Sequence, residues 1–171
     1  MKKPFPLCAL FFSTLFFIIP SLQAQDSSGT WIASIRKEVA AINARGVKYR
    51  VEEDDSNYVS SEGSEIKKYY AGTVLRKVTL DEAGVMGNSQ VEYYFSGGSL
   101  IFCYESTKLY GGPMSDANRP LISDEHNRYY LHQGKLFRFV DKKGRKTEGK
   151  ALLAKQKDVE QLKQLLLVKP N

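Results

Sequence analysis

The chain has 171 residues, with 25 basic side chains against 19 acidic ones and a formal charge of +6. That length suits one ordinary domain with its own core, and so mild a basic excess lacks the clustering expected of a nucleic-acid binder. The two cysteines, Cys8 and Cys103, are too few for a disulfide-stapled scaffold.

The first segment reads as an export signal. Lys2 and Lys3 form a positive start, Leu7 to Ile19 an uncharged apolar run, and Pro20-Ser21-Leu22-Gln23-Ala24 an ending with a small residue at the cleavage position. The apolar run is shorter than the roughly 20 residues that span a bilayer. Cleavage after Ala24 is therefore expected, rather than retention as an anchor. The expected organisation is a signal peptide over 1–24 and a single domain over 25–171, periplasmic or secreted, with no integral membrane association after cleavage. Taking Lys2 and Lys3 from the 25 basic side chains leaves 23 against 19 acidic ones, a net charge of +4. Such a balance fits weak attraction to anionic envelope polymers. Cys8 leaves with the signal, so Cys103 has no intramolecular partner and stability must come from packing.

Next, Trp31, Ile32, Ile35, Val39 and Ile42 recur at helical spacing, with Ser28 or Thr30 as cap and Gly46 just past the end. This amphipathic helix is expected to cover a core. Val47 to Val51 alternate like a strand, and Glu52-Glu53-Asp54-Asp55-Ser56-Asn57 reads as an acidic loop. The loop fails as a calcium site, because Val59 falls where a ligand is needed and no glycine stands at the sharp turn.

Three charged-Tyr-Tyr triplets follow: Lys68-Tyr69-Tyr70, Glu92-Tyr93-Tyr94 and Arg128-Tyr129-Tyr130. Each precedes glycine (Gly72, Gly97-Gly98, Gly134) and then an apolar run beginning at Leu75, Leu100 or Leu136, the pattern of strand, tight turn and returning strand. Around Gly72 the alternative is a bulge within one long strand. Period-two alternation assigns Val78, Ile101, Cys103, Phe137 and Phe139 to a core face under a helix. It assigns Leu75, Lys77, Thr79, Leu100, Phe102, Tyr104, Leu136, Arg138 and Val140 to a partly exposed one. Asp81 to Ser89 and the longer Ser106 to Asn127 read as connections, and long loops often carry function. Asp141 to Lys146 is a charged turn whose basic stretch, Lys142 to Lys146, is a candidate docking point for an anion, and Leu152, Val159, Leu162 and Leu166 mark a closing helix that stops before Pro170. The expected fold is α+β: an antiparallel β-meander sheet packed against N-terminal and C-terminal helices.

Catalytic signatures are sparse. Cys103 lies in an apolar run, where burial raises a thiol pKa rather than activating it. His126 and His132 are the two imidazoles; they share no metal-ligand spacing with Cys103, and His132 reads as a solvated turn residue. Neither a Gly-x-Ser-x-Gly elbow nor a phosphate-cradling glycine loop is present. No catalytic residue, metal site or cofactor is assigned.

The run Tyr93-Tyr94-Phe95-Ser96-Gly97-Gly98-Ser99-Leu100, echoed by Tyr129-Tyr130-Leu131-His132-Gln133-Gly134-Lys135-Leu136, resembles secreted bacterial proteins of unassigned function that carry repeated Tyr-Tyr…Gly-x-Leu hairpins. The hairpins also resemble MORN repeats, although that family's tryptophan-glycine pattern is missing. The resemblance implies a hairpin fold and no activity.

What remains is recognition. The expected function is that of a non-enzymatic exported binding or accessory protein of the envelope, monomeric, whose partner is a protein or envelope polymer. Tyrosine joins apolar area to a polar tip and is enriched at such surfaces. The candidate binding residues are Phe102, Tyr104, Tyr110, Arg119 and Arg138, on the aromatic sheet face and the 106–127 loop. The competing reading is a small hydrolase using His126 beside Asp124 and Glu125.

Overall fold

The structure, a computed structural model, describes residues 28–54, 63–113, 115–147 and 150–167. The expected signal segment 1–24, the Asp55-Ser56-Asn57 end of the expected acidic loop, and Pro170 lie outside them, as do the side chains of Leu162 and Leu166. Helix α1 (Ser28–Ile42) precedes eight strands: β1 (Arg50–Asp54), β2 (Ser64–Ala71), β3 (Val74–Gly84), β4 (Gly87–Ser96), β5 (Ser99–Tyr110), β6 (Leu121–His132), β7 (Lys135–Val140) and β8 (Lys146–Thr147). Helix α2 (Lys150–Leu167) closes the chain. The strands form one open sheet in sequence order, every neighbour antiparallel, so the architecture is α+β. Among the described residues, no helix is long and apolar enough to cross a membrane.

All three expected hairpins form, including the first, which turns at Gly72 and Thr73. Each carries a β-bulge at the same place. Tyr69 pairs with Lys77 but Tyr70 with Leu75; Tyr94 pairs with Phe102 but Phe95 with Leu100; Tyr130 pairs with Arg138 but Leu131 with Leu136. Arg76, Ile101 and Phe137 are thus extra residues on the returning strands. One extra residue reverses the alternation of everything beyond it.

That reversal corrects the expected faces. Leu100 and Leu136 are buried with Val78, Cys103 and Phe139, and Leu75 packs beside them, on the face that receives Leu152 and Val159 of α2. Ile101 and Phe137, expected there, lie on the opposite face with Phe102, Tyr104, Tyr130 and Val140. The face expected to be partly exposed is covered in its middle by α1, whose Ile35 and Ile42 are buried against Tyr94, Phe102 and Tyr130. The triplets also align with a shift: Tyr69 occupies the cross-strand row of Tyr94 and Tyr130, while Tyr93 and Tyr129 face α2.

Three segments read as loops or connections are largely strand. Glu52 to Asp54 belong to β1, and most of 106–127 belongs to β5 and β6, leaving Gly111 to Pro120 as the connection. Asp81 to Ser89 is likewise a tight hairpin turning at Val85 and Met86. Polar side chains on both faces hide these strands from periodicity, but the ladder to adjacent strands satisfies their backbone. His132 ends β6 and is no free turn residue: its ring stacks on Trp31 at 4.0 Å and 5°.

Two glycine-dependent positions give checks by chemical denaturation. Gln133 has φ 51° in the β6–β7 turn, beside Gly134 at 75°. Gln133→Asn creates the Asn-Gly pair that such a turn favours and should add about 0.5–1 kcal/mol of stability. A Cβ on Gly87 would lie 2.2 Å from the Lys108 carbonyl oxygen. Gly87→Ala should cost about 2 kcal/mol or more, since the obstacle is backbone in a paired strand.

Candidate functional site

The bulges seat α1. On its side of the sheet Phe137 meets Trp31 edge-on at 5.4 Å, Ile101 joins the apolar cluster, and Arg76 donates to the Glu38 carboxylate. Both ends of α1 are tied as well. Arg138 Nη2 donates to Ser28 Oγ at 3.0 Å, and Asn43 Nδ2 donates to the Tyr94 hydroxyl at 2.8 Å. That hydroxyl in turn donates to Glu92 Oε2 at 2.7 Å, whose other oxygen holds Lys77 at 2.7 Å. Burial pushes the Tyr94 hydroxyl pKa well up, with the Glu92 carboxylate adding to it, so this tyrosine remains a neutral donor.

Between these ties a hollow of about 460 Å³ opens under the first half of α1. Gly29, Ile32 and Arg36 form its roof, and Tyr130 and Val140 its floor. Arg128, Arg138 and Lys146 line the remainder. The placement follows from register. Arg128 and Lys146 flank Val140 in one cross-strand row, and Arg138, two residues before Val140, shares its face. Ile32 and Arg36, four apart, share one side of the helix. The hollow therefore gathers four cations and no carboxylate among the described residues that line it. Among the described residues none of the four is in an ion pair, and the described acids near three of them in sequence are engaged elsewhere: Glu38 with Arg76, Glu125 with Lys142, and Asp141 with Arg145 and the Lys143 backbone. Both carboxyls lie below their usual range: at Glu125 the Lys142 hydrogen bond leads, and at Asp141 desolvation, the largest single influence, is outweighed by the combined N–H donation from Arg145 and Lys143 and the Arg145 charge.

A second, apolar hollow of about 170 Å³ adjoins the first. Ile35, Val39, Ala40 and Phe102 line it, and Arg36 and Tyr130 belong to both.

The expected binding residues separate into two groups. Phe102, Tyr104 and Arg138 share the α1 face, Phe102 almost buried at 9% exposure and Arg138 in the cationic hollow. Tyr110 and Arg119 sit at the far end of β5 and its connection, where the guanidinium lies 4.0 Å over the ring. Sequence reasoning missed Arg36 and Arg128, and reached Lys146 only as the end of the basic turn Lys142 to Lys146. Arg128 carried a signal as the charged member of a Tyr-Tyr triplet.

His126 stands on β6, not in a loop. Its Nδ1 lies 2.7 Å from the Tyr104 hydroxyl and its Nε2 3.1 Å from Asp124 Oδ1. Both nitrogens are occupied, so acting as a base requires breaking one of these contacts. Among the described residues no group of three His, Cys, Asp or Glu side chains could hold a metal.

Cys103 is 1% exposed, and burial, reinforced by the Glu105 charge, raises its thiol pKa well above the ordinary value. In a Cys8→Ser chain, Cys103 should react with a thiol reagent at least about 100-fold more slowly in buffer than in urea, since attack requires local opening. A rate independent of denaturant would contradict this packing. Compared with known protein families, curated proteins and solved structures, the chain matches none.

Proposed function

We propose that the chain is an exported, non-enzymatic binding protein of the bacterial envelope that takes an anionic ligand in the hollow beneath α1. The export half of the reading rests on the signal-like pattern of residues 1–24. The binding half rests on one observation, the meeting of Arg36, Arg128, Arg138 and Lys146 around a single hollow with no carboxylate among its described lining residues.

Like charges brought together raise one another's energy, and a folded chain that served only its own stability gains nothing by gathering them. An anion reverses the sign of that term. Arginine suits the task, because its planar fork meets phosphate or carboxylate oxygens in pairs. Tyr130 and Val140 below, and Ile32 above, restrict water and strengthen those contacts. Tyr110 and Arg119, at the opposite end of the sheet, have no part in this site.

Thermal unfolding with pyrophosphate, poly-glutamate and hexyl phosphate, against glucose and hexyl glucoside, tests the reading. A ligand bound to the folded state at ten times its Kd should raise Tm by about 3–5 °C. At least one anion should do so and neither neutral control should. The Arg128→Gln, Arg138→Gln double variant should fold, by circular dichroism, and lose the response. If no anion shifts Tm, or if the double variant responds like the parent, the reading fails.

A further inference from the structure

We infer that the ligand is an anionic single-chain amphiphile, its phosphate or carboxylate head in the cationic hollow and its apolar tail in the adjoining slot along α1. This inference rests on the anionic-ligand reading and goes further, because it assigns a second compartment and a ligand with two unlike ends.

The two hollows differ in chemistry but share walls. Four cations line the larger, of about 460 Å³; the smaller, of about 170 Å³, is lined by Ile35, Val39, Ala40 and Phe102. Arg36 and the Tyr130 ring belong to both, so a ligand lying along Tyr130 passes from one to the other beneath a single helix. Arg36 marks the boundary: its stem can lie along a tail while its guanidinium meets the head. A purely hydrophilic anion would leave the slot unfilled, and a neutral apolar molecule would leave the cations uncompensated.

The slot also sets a length. At about 30 Å³ per methylene-sized group, close to the share of a water in the liquid, it holds roughly six. Each methylene entering it should tighten binding about fourfold, and those beyond the sixth should add little. Tyr130 and Phe102 are core residues and poor subjects for substitution. Ala40 is exposed on α1 and contributes only its methyl group, so a larger side chain there blocks the slot without removing packing.

Calorimetric titration of the full chain with inorganic phosphate, ethyl, butyl, hexyl and octyl phosphate, and hexyl glucoside decides the matter. Affinity should climb from ethyl to hexyl phosphate and then level off. Hexyl phosphate should bind at least tenfold more tightly than either inorganic phosphate or hexyl glucoside. In Ala40→Phe the dependence on chain length should vanish while inorganic phosphate binds as before. Equal affinities for inorganic and hexyl phosphate would overturn the amphiphile and leave the anionic site standing, as would an Ala40→Phe chain that kept the full length dependence. Hexyl glucoside binding as well as hexyl phosphate would overturn both readings; no binding by any of the set would overturn the amphiphile, and the anionic site with it if pyrophosphate and poly-glutamate also leave Tm unchanged.

Discussion

One extra residue in each returning strand decides what faces what in this protein. Because side chains alternate with a period of two, Arg76, Ile101 and Phe137 shift the parity of β3, β5 and β7 relative to their partners. Leu75, Leu100 and Leu136 are thereby delivered to the α2 side and the bulged residues themselves to the α1 side. An unbulged register would have put Ile101 and Phe137 under α2 and three leucines under α1, with no edge-on partner for Trp31 and no cation for Glu38. The bulges supply both faces of the sheet with apolar groups, and both faces can then hold a helix.

From that constraint the charge pattern follows. On the β2–β4 half of the α1 face each cation meets an acid: Lys67 with Glu65, Arg76 with Glu38, Lys77 with Glu92. On the β6–β8 half, Arg128, Arg138 and Lys146 have none among the described residues, and Arg36 leans over them from α1. The helix thus crosses from a neutralised region into one where no described acid meets the cations. Its position is fixed in the first by Glu38 and Asn43, and in the second by the Trp31 stack on His132 and by the Ser28 hydroxyl, which takes one hydrogen bond from Arg138.

How much of this was legible in the sequence differs by element. The α1 stripe, the three tight turns and the meander order could be read because each has a local signature: 3.6-residue spacing, glycine at positive φ, and strands linked by short turns. The bulges could not. A bulge needs one residue more than the ladder accommodates, and nothing in Arg76, Ile101 or Phe137 as residue types announces it; their chemistry differs completely. The far halves of β5 and β6 were hidden for a different reason. Ser106, Thr107, Asp124 and Asn127 bury no apolar face, so their strand state is set by pairing with a neighbour and not by their own pattern. Arg138 was named from its place on the aromatic face, whereas Arg36 and Lys146 come from a helix and a two-residue edge strand more than a hundred residues apart, and only the folded sheet brings them together.

The separation of charge from packing within the hollow bears on what the site is for. Its apolar members carry the local fold: Tyr130 is 3% exposed and joins Phe102 and Tyr94 in one aromatic row. The four cations surround that row without being needed by it, apart from one hydrogen bond from Arg138 to Ser28. Replacing any of them by an uncharged side chain would ease repulsion at little cost in burial, so stability alone gives no reason to keep all four. On the proposed reading an anionic ligand gives such a reason, because it supplies the compensating charge that the described lining residues lack.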